Sequence, residues 1–241
     1  MSKFLKGLKW LGLALVLIMV GLFIVVNVLT YQPLNSMYEQ IESEVNETDD
    51  YFMVNGEDAV ATIVYYPGGL VSAESYLLQA SYLASENIRV IIPKMPFNLA
   101  ILDRYAFNEI YNEDDHPWFL AGHSLGGASM AYVARDYPNR IAGLIFLAAY
   151  PPSSVDLKES GLNILSITAS NDEVMNQSSF ESTKALLPEA TTFKEIVGGN
   201  HAQFGYYGSQ RGDGEALISV YDQHQEVSNY IADFIFDVLD D

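Results

Sequence analysis

Residues 118–135 constrain the fold more than any other stretch of this chain. Trp118-Phe119-Leu120-Ala121 is an apolar run short enough for a buried strand. Gly122-His123-Ser124-Leu125-Gly126 follows, and residues 127–135 read as a helix. The central five residues fit the pattern G-x-S-x-G, and strand, turn and helix are the context which that pattern needs. The glycines have a steric task, because side chains two residues either side of Ser124 would collide with the neighbouring strand or helix. The predicted turn pushes Ser124 Oγ out at the end of the sheet, beside a helix N-terminus. There the backbone N–H of Leu125 faces the same space. A five-residue pattern with three fixed positions also arises by chance. The remaining sequence therefore has to supply a base, an acid and a second donor.

From about Tyr51 onward, short apolar runs alternate with helical patterns. Residues 60–66 read as a buried strand ending at Pro67-Gly68-Gly69, and 74–85 as an amphipathic helix. Strand 89–93, a helix over 99–111, strand 118–121 and the helix after Ser124 come next. Then follow strands 142–148 and 163–168, a helix over 179–187 closed by Pro188, strand 192–197 and a last helix over 221–239. Continuously apolar strands alternating with helices predict an α/β domain with a mostly parallel sheet covered on both faces. Ligands then bind beyond the carboxyl ends of the strands. Gly68-Gly69, Ser124, Asp172 and His201 all follow strand ends.

A serine hydroxyl is a poor nucleophile unless a base lies within hydrogen-bond reach and an acid orients that base. The chain has four histidines. His201 follows the last strand through Gly198-Gly199-Asn200 and is the leading base. His116 in an acidic loop is second, His123 points away inside the turn, and His224 is read as a solvated residue opening the last helix. Asp172, after strand 163–168, is the leading acid, with Glu173 and Asp213 as alternatives. The chain order is then Ser, Asp, His. Leu125 N–H is one oxyanion donor, and Gly69 N–H the second, with Leu70 as its alternative. Tyr76, Phe97, Tyr105, Phe107, Tyr111, Trp118, Phe204, Tyr206 and Tyr207 are candidates to line a pocket, at least half of them being expected in the core or on the surface. Arg211-Gly212-Asp213 reads as part of a Gly-rich loop near the site, rather than as an adhesion tripeptide.

The N-terminus carries a separate message. Lys3, Lys6 and Lys9 precede an uncharged stretch over 10–32, long enough to span a bilayer. A cleaved signal peptide is the rival reading, but the run is long and no A-x-A-like site follows Leu29. The lysines predict a cytoplasmic N-terminus and an extracytoplasmic remainder. All 31 acidic residues follow the stretch, and 9 of the 12 basic ones do, so the remainder carries a charge of −22. That discourages binding to nucleic acid and to anionic lipid. The expected division is 1–31 for the lysines and anchor, 32–50 for an acidic, partly helical stalk, and 51–241 for the α/β domain. Met37, Tyr38, Ile41 and Val45 give the stalk a side able to pack on the domain. The absence of cysteine excludes disulfides, thiolate zinc sites and a thiol nucleophile.

The chain resembles the α/β-hydrolase superfamily, and most of all its small bacterial branch related to dienelactone hydrolase (carboxymethylenebutenolidase-like). Four stretches carry the resemblance: Tyr66-Pro67-Gly68-Gly69, Ile92-Pro93-Lys94-Met95-Pro96, Gly122 through Gly127, and Gly198-Gly199-Asn200-His201-Ala202-Gln203-Phe204-Gly205. The resemblance implies hydrolysis of a small-molecule ester or lactone through an acyl-enzyme, with Ser124 as nucleophile, Asp172 as acid and His201 as base. It implies no metal and no cofactor. Two features depart from the branch. Dienelactone hydrolases use a cysteine nucleophile, and Pro67-Gly68 stands where His-Gly is usual. Residues 150–163 leave room only for a loop, so no large cap domain is expected. An acyltransferase or peptidase on the same residues, or a non-catalytic binding module, are the alternative readings.

Overall fold

Parallel pairing of buried strands organises the chain, as the computed structural model shows for residues 3–56, 58–112 and 116–240. The side chains of residues 3–7, 22 and 23 lie outside the described set. That set therefore excludes the Lys3 and Lys6 side chains, and also the acidic residues 113–115 beside His116. Among the described residues, eight strands form one sheet: β1 Val45–Glu47, β2 Tyr51–Val54, β3 Ala61–Tyr66, β4 Ile88–Pro93, β5 Trp118–His123, β6 Gly143–Leu147, β7 Asn163–Ala169 and β8 Thr192–Ile196. Their spatial order is β1-β2-β4-β3-β5-β6-β7-β8. β1, β2 and β4 pair antiparallel, and every pairing from β4 through β3 to β8 is parallel.

The period-two geometry of a strand divides the core into two layers. Ile63 and Tyr65 of β3, Phe119 and Ala121 of β5, and Ile145 and Leu147 of β6 face one layer. Helix α2 (Leu77–Ser85) and the C-terminal helix α6 (Val220–Asp240) close it with Leu78, Leu83, Val227, Ile231 and Ile235. Val64 and Tyr66, Trp118 and Leu120, and Leu144 and Phe146 face the other. That layer is covered by the one-turn helix α3 (Phe107–Ile110) and by α4 (Leu125–Asp136), through Phe107, Met130, Ala131, Val133 and Ala134. Full burial of a Phe or Leu side chain contributes about 1.5–3 kcal/mol. Strands buried on both faces therefore read as continuous apolar runs. A further helix, α5 (Gln177–Thr183), lies between β7 and β8 in the chain.

Two expectations need correction, and a third gains detail. The helix expected over 99–111 is replaced by two short 3₁₀ turns, Pro96–Asn98 and Ala100–Leu102, ahead of α3. Leu99 (φ −128°, ψ 99°) and Asp103 (φ −141°, ψ 57°) depart from helical geometry, so no single helix runs through the stretch. The acidic segment 32–50 lies against the rest of the domain. Met37 is fully buried in the 3₁₀ turn Asn35–Gln40, Ile41 and Val45 pack on the core, and β1 supplies the sheet edge. Finally, His224 is wholly buried rather than solvated, because α6 turns that side toward the sheet.

No helix interrupts residues 148–162 between β6 and β7, in keeping with a fold that has no large cap. At the N-terminus, α1 (Lys3–Leu29) contains one stretch, Leu8–Leu29, of mean hydropathy 2.8. It is long and apolar enough to cross a membrane, and none of its described side chains is buried.

Candidate active site

Ser124 sits at the junction of β5 and α4 with φ 52° and ψ −121°. A non-glycine residue in that region costs about 1–3 kcal/mol, so the surroundings must hold it there. They do so through close backbone approach. A Cβ on Gly126 would meet the carbonyl oxygens of Tyr66 and Pro67, and one on Gly122 would lie 2.6 Å from Gly127 N. Ser124 N–H donates to Leu147 O at 3.0 Å, tying the turn to β6.

Asp172 and His201 are brought together from loops 29 residues apart in the chain. His201 Nδ1 and Asp172 Oδ2 are 2.8 Å apart, and both residues are buried. Asp172 Oδ1 accepts from the N–H groups of Val174 (2.9 Å) and Met175 (2.8 Å), so the carboxylate is fully engaged. Because Asp172 takes Nδ1, Nε2 is the ring nitrogen left for other work. Ser124, Leu125, Tyr150, Met175 and His201 share the wall of one cavity of about 300 Å³. A larger cavity of about 500 Å³ lies beside the His201 loop, lined in part by Leu34, Tyr206 and Asp213, and includes neither Ser124 nor His201.

Gly69 and Leu125 are neighbours: a Cβ on Gly69 would come within 2.9 Å of Leu125 Cδ2. The Leu70 N–H is already committed, donating to Asn98 O at 2.7 Å, and Gly68 N–H donates to Tyr76 Oη at 2.8 Å. Among the described residues, Gly69 N–H is the one amide of this turn with no such partner before Val71, whose N–H donates to Gly68 O. Leu125 opens α4, where the first N–H groups have no intrahelical acceptor.

Four supporting residues were not legible in these roles. Tyr76 Oη accepts from Gly68 N–H, leaving its own proton for His123 Nδ1 at 2.9 Å. His123 is buried, its ring 4.6 Å from that of His201. Burial, followed by the neighbouring His201, holds its pKa well below the usual histidine value, so it is neutral and its Nδ1 can accept. Gln223 of α6 clamps Asn200, accepting from its N–H (3.0 Å) and donating to its carbonyl (2.9 Å). Asp213 bonds to backbone, while Asp172 takes the His201 ring. The Asp213 carboxylate accepts from the backbone N–H groups of Ala202 (2.8 Å), Gly214 (2.9 Å), His201 (3.3 Å) and Glu173 (3.4 Å), so it ties the His201 loop to the Asp172 loop. Nothing near these residues in sequence marks such contacts; only the Gly-rich loop around Asp213 hinted at one. None of the nine aromatic candidates lines the Ser124 cavity, where Tyr150 is the aromatic present.

The sequence profile of the alpha/beta hydrolase family matches residues 62–225, well over half of the chain. The chain belongs to the alpha/beta hydrolase family. The matched span runs from β3 into α6 and includes Ser124, Asp172 and His201. Solved structures share this hydrolase fold at low identity. TT1662 from Thermus thermophilus is 15% identical, with a TM-score of 0.62 over 83% of this chain and 99% of that one. A dienelactone hydrolase from Anabaena variabilis is 12% identical, with a TM-score of 0.57 over 78% of this chain and 94% of that one. The esterase domain of a Rhodothermus marinus protein is 14% identical, with a TM-score of 0.57 over 81% and 97%. No curated protein matches the sequence. Family membership and these neighbours support hydrolase activity.

Proposed function

We propose that this alpha/beta hydrolase is a membrane-anchored serine hydrolase that cleaves a small carboxylic ester or lactone. The observation that carries the reading is the meeting of a strained Ser124 with the buried Asp172–His201 pair at one cavity. His201 Nε2 takes the Ser124 Oγ proton as Oγ adds to the substrate carbonyl carbon. The tetrahedral oxyanion accepts from Leu125 N–H and Gly69 N–H. Collapse expels the alkoxide, which leaves with the proton held on His201. Water then repeats the sequence on the acyl-enzyme, releasing the acid and restoring Ser124. Asp172 keeps His201 in the tautomer that this needs. An esterase domain and a dienelactone hydrolase among the structural neighbours agree with the bond type.

The anchor is α1, with its lysines in the cytoplasm and the catalytic domain on the extracytoplasmic side. Residues 1–31 form the anchor, and 32–50 strap the chain to the domain that follows. Replacing Ser124 by Ala is expected to abolish hydrolysis of a short p-nitrophenyl ester and labelling by a fluorophosphonate, with the fold kept. Esterase activity surviving in Ser124→Ala would sink the assignment. A wild-type chain that never labels would instead indicate a binding module.

A further inference from the structure

The two residues that follow α1 are joined by hydrogen bonds to the loop after β4 and to the turn that carries Gly69, whose neighbour Leu125 lines the Ser124 cavity. Tyr31 N–H donates to Leu70 O at 2.8 Å, and Tyr31 O accepts from Ser72 N–H at 3.0 Å, making a parallel bridge with Val71. Leu70 N–H donates to Asn98 O, and Asn98 Nδ2 donates to Thr30 Oγ1 at 3.3 Å. Thr30 Oγ1 in turn donates to Val26 O within the helix end, at 2.9 Å. The Tyr31 ring lies 5.2 Å from that of Tyr207, and its hydroxyl accepts from Arg211 N–H at 3.3 Å. Thus the first two residues after the apolar helix contact the turn that carries Gly69 and the loop that follows β4.

We propose that the mouth of the Ser124 cavity lies in the head-group layer of the bilayer, that the apolar loop 97–102 inserts there beside α1, and that the substrate is an ester whose apolar part is dissolved in the membrane. The proposal rests on the reading of α1 as a span and Ser124 as the nucleophile.

Helix length fixes the depth. From Trp10 to Tyr31 a helix rises roughly 30 Å at about 1.5 Å per residue, which matches the ~30 Å hydrocarbon core. Trp10 and Tyr31 then stand at the two interfaces, where such rings are favoured. The head-group layer adds roughly 5–8 Å on each side. Two residues of extended chain reach about 7 Å. Gly69 is one residue from Leu70, which is bonded to Tyr31, so the oxyanion turn cannot leave that layer while those bonds hold.

The loop beside it has matching chemistry. Phe97, Ile101 and Leu102 are 47%, 50% and 57% exposed, and no charged residue occurs between Met95 and Leu102. Two consecutive left-handed residues, Phe97 and Asn98, turn the chain there. Both this loop and the Gly69 turn follow the carboxyl ends of parallel strands, on the same edge as Ser124. With a charge of −22 after the lysines and no basic residue in the loop, the contact is apolar and insensitive to salt.

The absence of native cysteine allows a clean test in the full chain, reconstituted in phosphatidylcholine vesicles. Single-cysteine variants Ile101→Cys and Val60→Cys carry a nitrobenzoxadiazole fluorophore, and the vesicles carry a lipid spin-labelled high on its acyl chain. Val60 is exposed and precedes β3, at the opposite edge of the sheet. Quenching at position 101 is expected to exceed that at position 60 at least twofold; equal quenching would overturn the docking. Leu102→Cys provides a second reporter if Ile101→Cys fails to fold. In the double variant Ile101→Ser, Leu102→Ser, the ratio of turnover on a long-chain ester in those vesicles to turnover on a dissolved short-chain ester is expected to fall about tenfold. An unchanged ratio would overturn the substrate class. Absence of both ester activities and of fluorophosphonate labelling in the wild-type chain would overturn the Ser124 reading, while the quenching would still decide the docking.

Discussion

Replacing Tyr76 by phenylalanine removes one oxygen and strands two buried polar groups. Tyr76 is wholly buried, and its hydroxyl serves Gly68 N–H at 2.8 Å and His123 Nδ1 at 2.9 Å. A buried donor or acceptor left without a partner costs about 1–3 kcal/mol. Two such groups, partly relieved by small shifts, imply a loss of about 2–4 kcal/mol. For a chain of this size that lowers Tm by roughly 5–15 °C. Under the proposed mechanism, the catalytic effect follows from the position of Gly68, next to Gly69. Removing an oxyanion donor outright costs about 10²–10³ in kcat. A turn that still visits the productive geometry should lose less, about tenfold. The loss is expected in kcat with KM little changed, because the oxyanion contact is made only in the transition state. The assay is hydrolysis of a p-nitrophenyl ester by the full chain in detergent, beside a thermal melt. A variant with reduced Tm and wild-type kcat would refute the claim that Tyr76 positions the oxyanion turn. The bonds from Leu70 to Asn98 and from Val71 to Gly68 would then suffice to hold it.

Acid should destabilise the protein through its buried histidines. Burial pushes the His224 pKa down to about 4, against an opposing contact with the Gly205 backbone. The unfolded chain binds this proton near pH 6.5, before the folded chain does, so the stability is fully present above that pH. It falls by about 3 kcal/mol as pH drops from 6.5 to 4. His123, also held well below its usual value, adds to the loss in the same direction. Denaturant midpoints across that range should fall less steeply in His224→Gln, and an identical slope would refute the assignment. Gly126→Ala places a methyl against the Tyr66 and Pro67 carbonyl oxygens, which are backbone and cannot yield cheaply. It is expected to cost about 3 kcal/mol or more by thermal melt, and a wild-type melt would refute the close approach of α4 to the end of β3. Asp213→Asn turns an amide N–H toward backbone donors of the His201 loop, so a loss of about 1–3 kcal/mol and about tenfold in kcat is expected. Unchanged turnover would show that the Asp172 and His201 loops hold their places without it.

The parts of the fold legible in the sequence were those with a local signature. β3, β5, β6 and β7 are buried on both faces, so each is an apolar run that stands out from its flanks. β1 and β2 did not stand out, because half-buried strands of only three and four residues have no such run. The 99–111 stretch has apolar residues at helical spacing, but non-helical backbone at Leu99 and Asp103 and the packing of Phe107 against Trp118 of β5 break it into separate turns. His224 illustrates the converse. A lone polar residue at a helix start reads as exposed until the rotation of the helix on its sheet is known.

Sequence alone determined the serine turn, the glycines around it, the order Ser124, Asp172, His201, and the apolar N-terminal helix. Each rests on neighbours in the chain, through steric limits at a turn or the period of a strand or helix. Tertiary structure alone decided that Asp172 meets His201, that Tyr76 and His123 hold the Gly68 turn, that Gln223 and Asp213 clamp the His201 loop, and that Tyr31 bonds to Leu70. Those contacts join residues from 8 to 47 positions apart. They depend on strand order and on how each helix is rotated against the sheet, which no local pattern encodes.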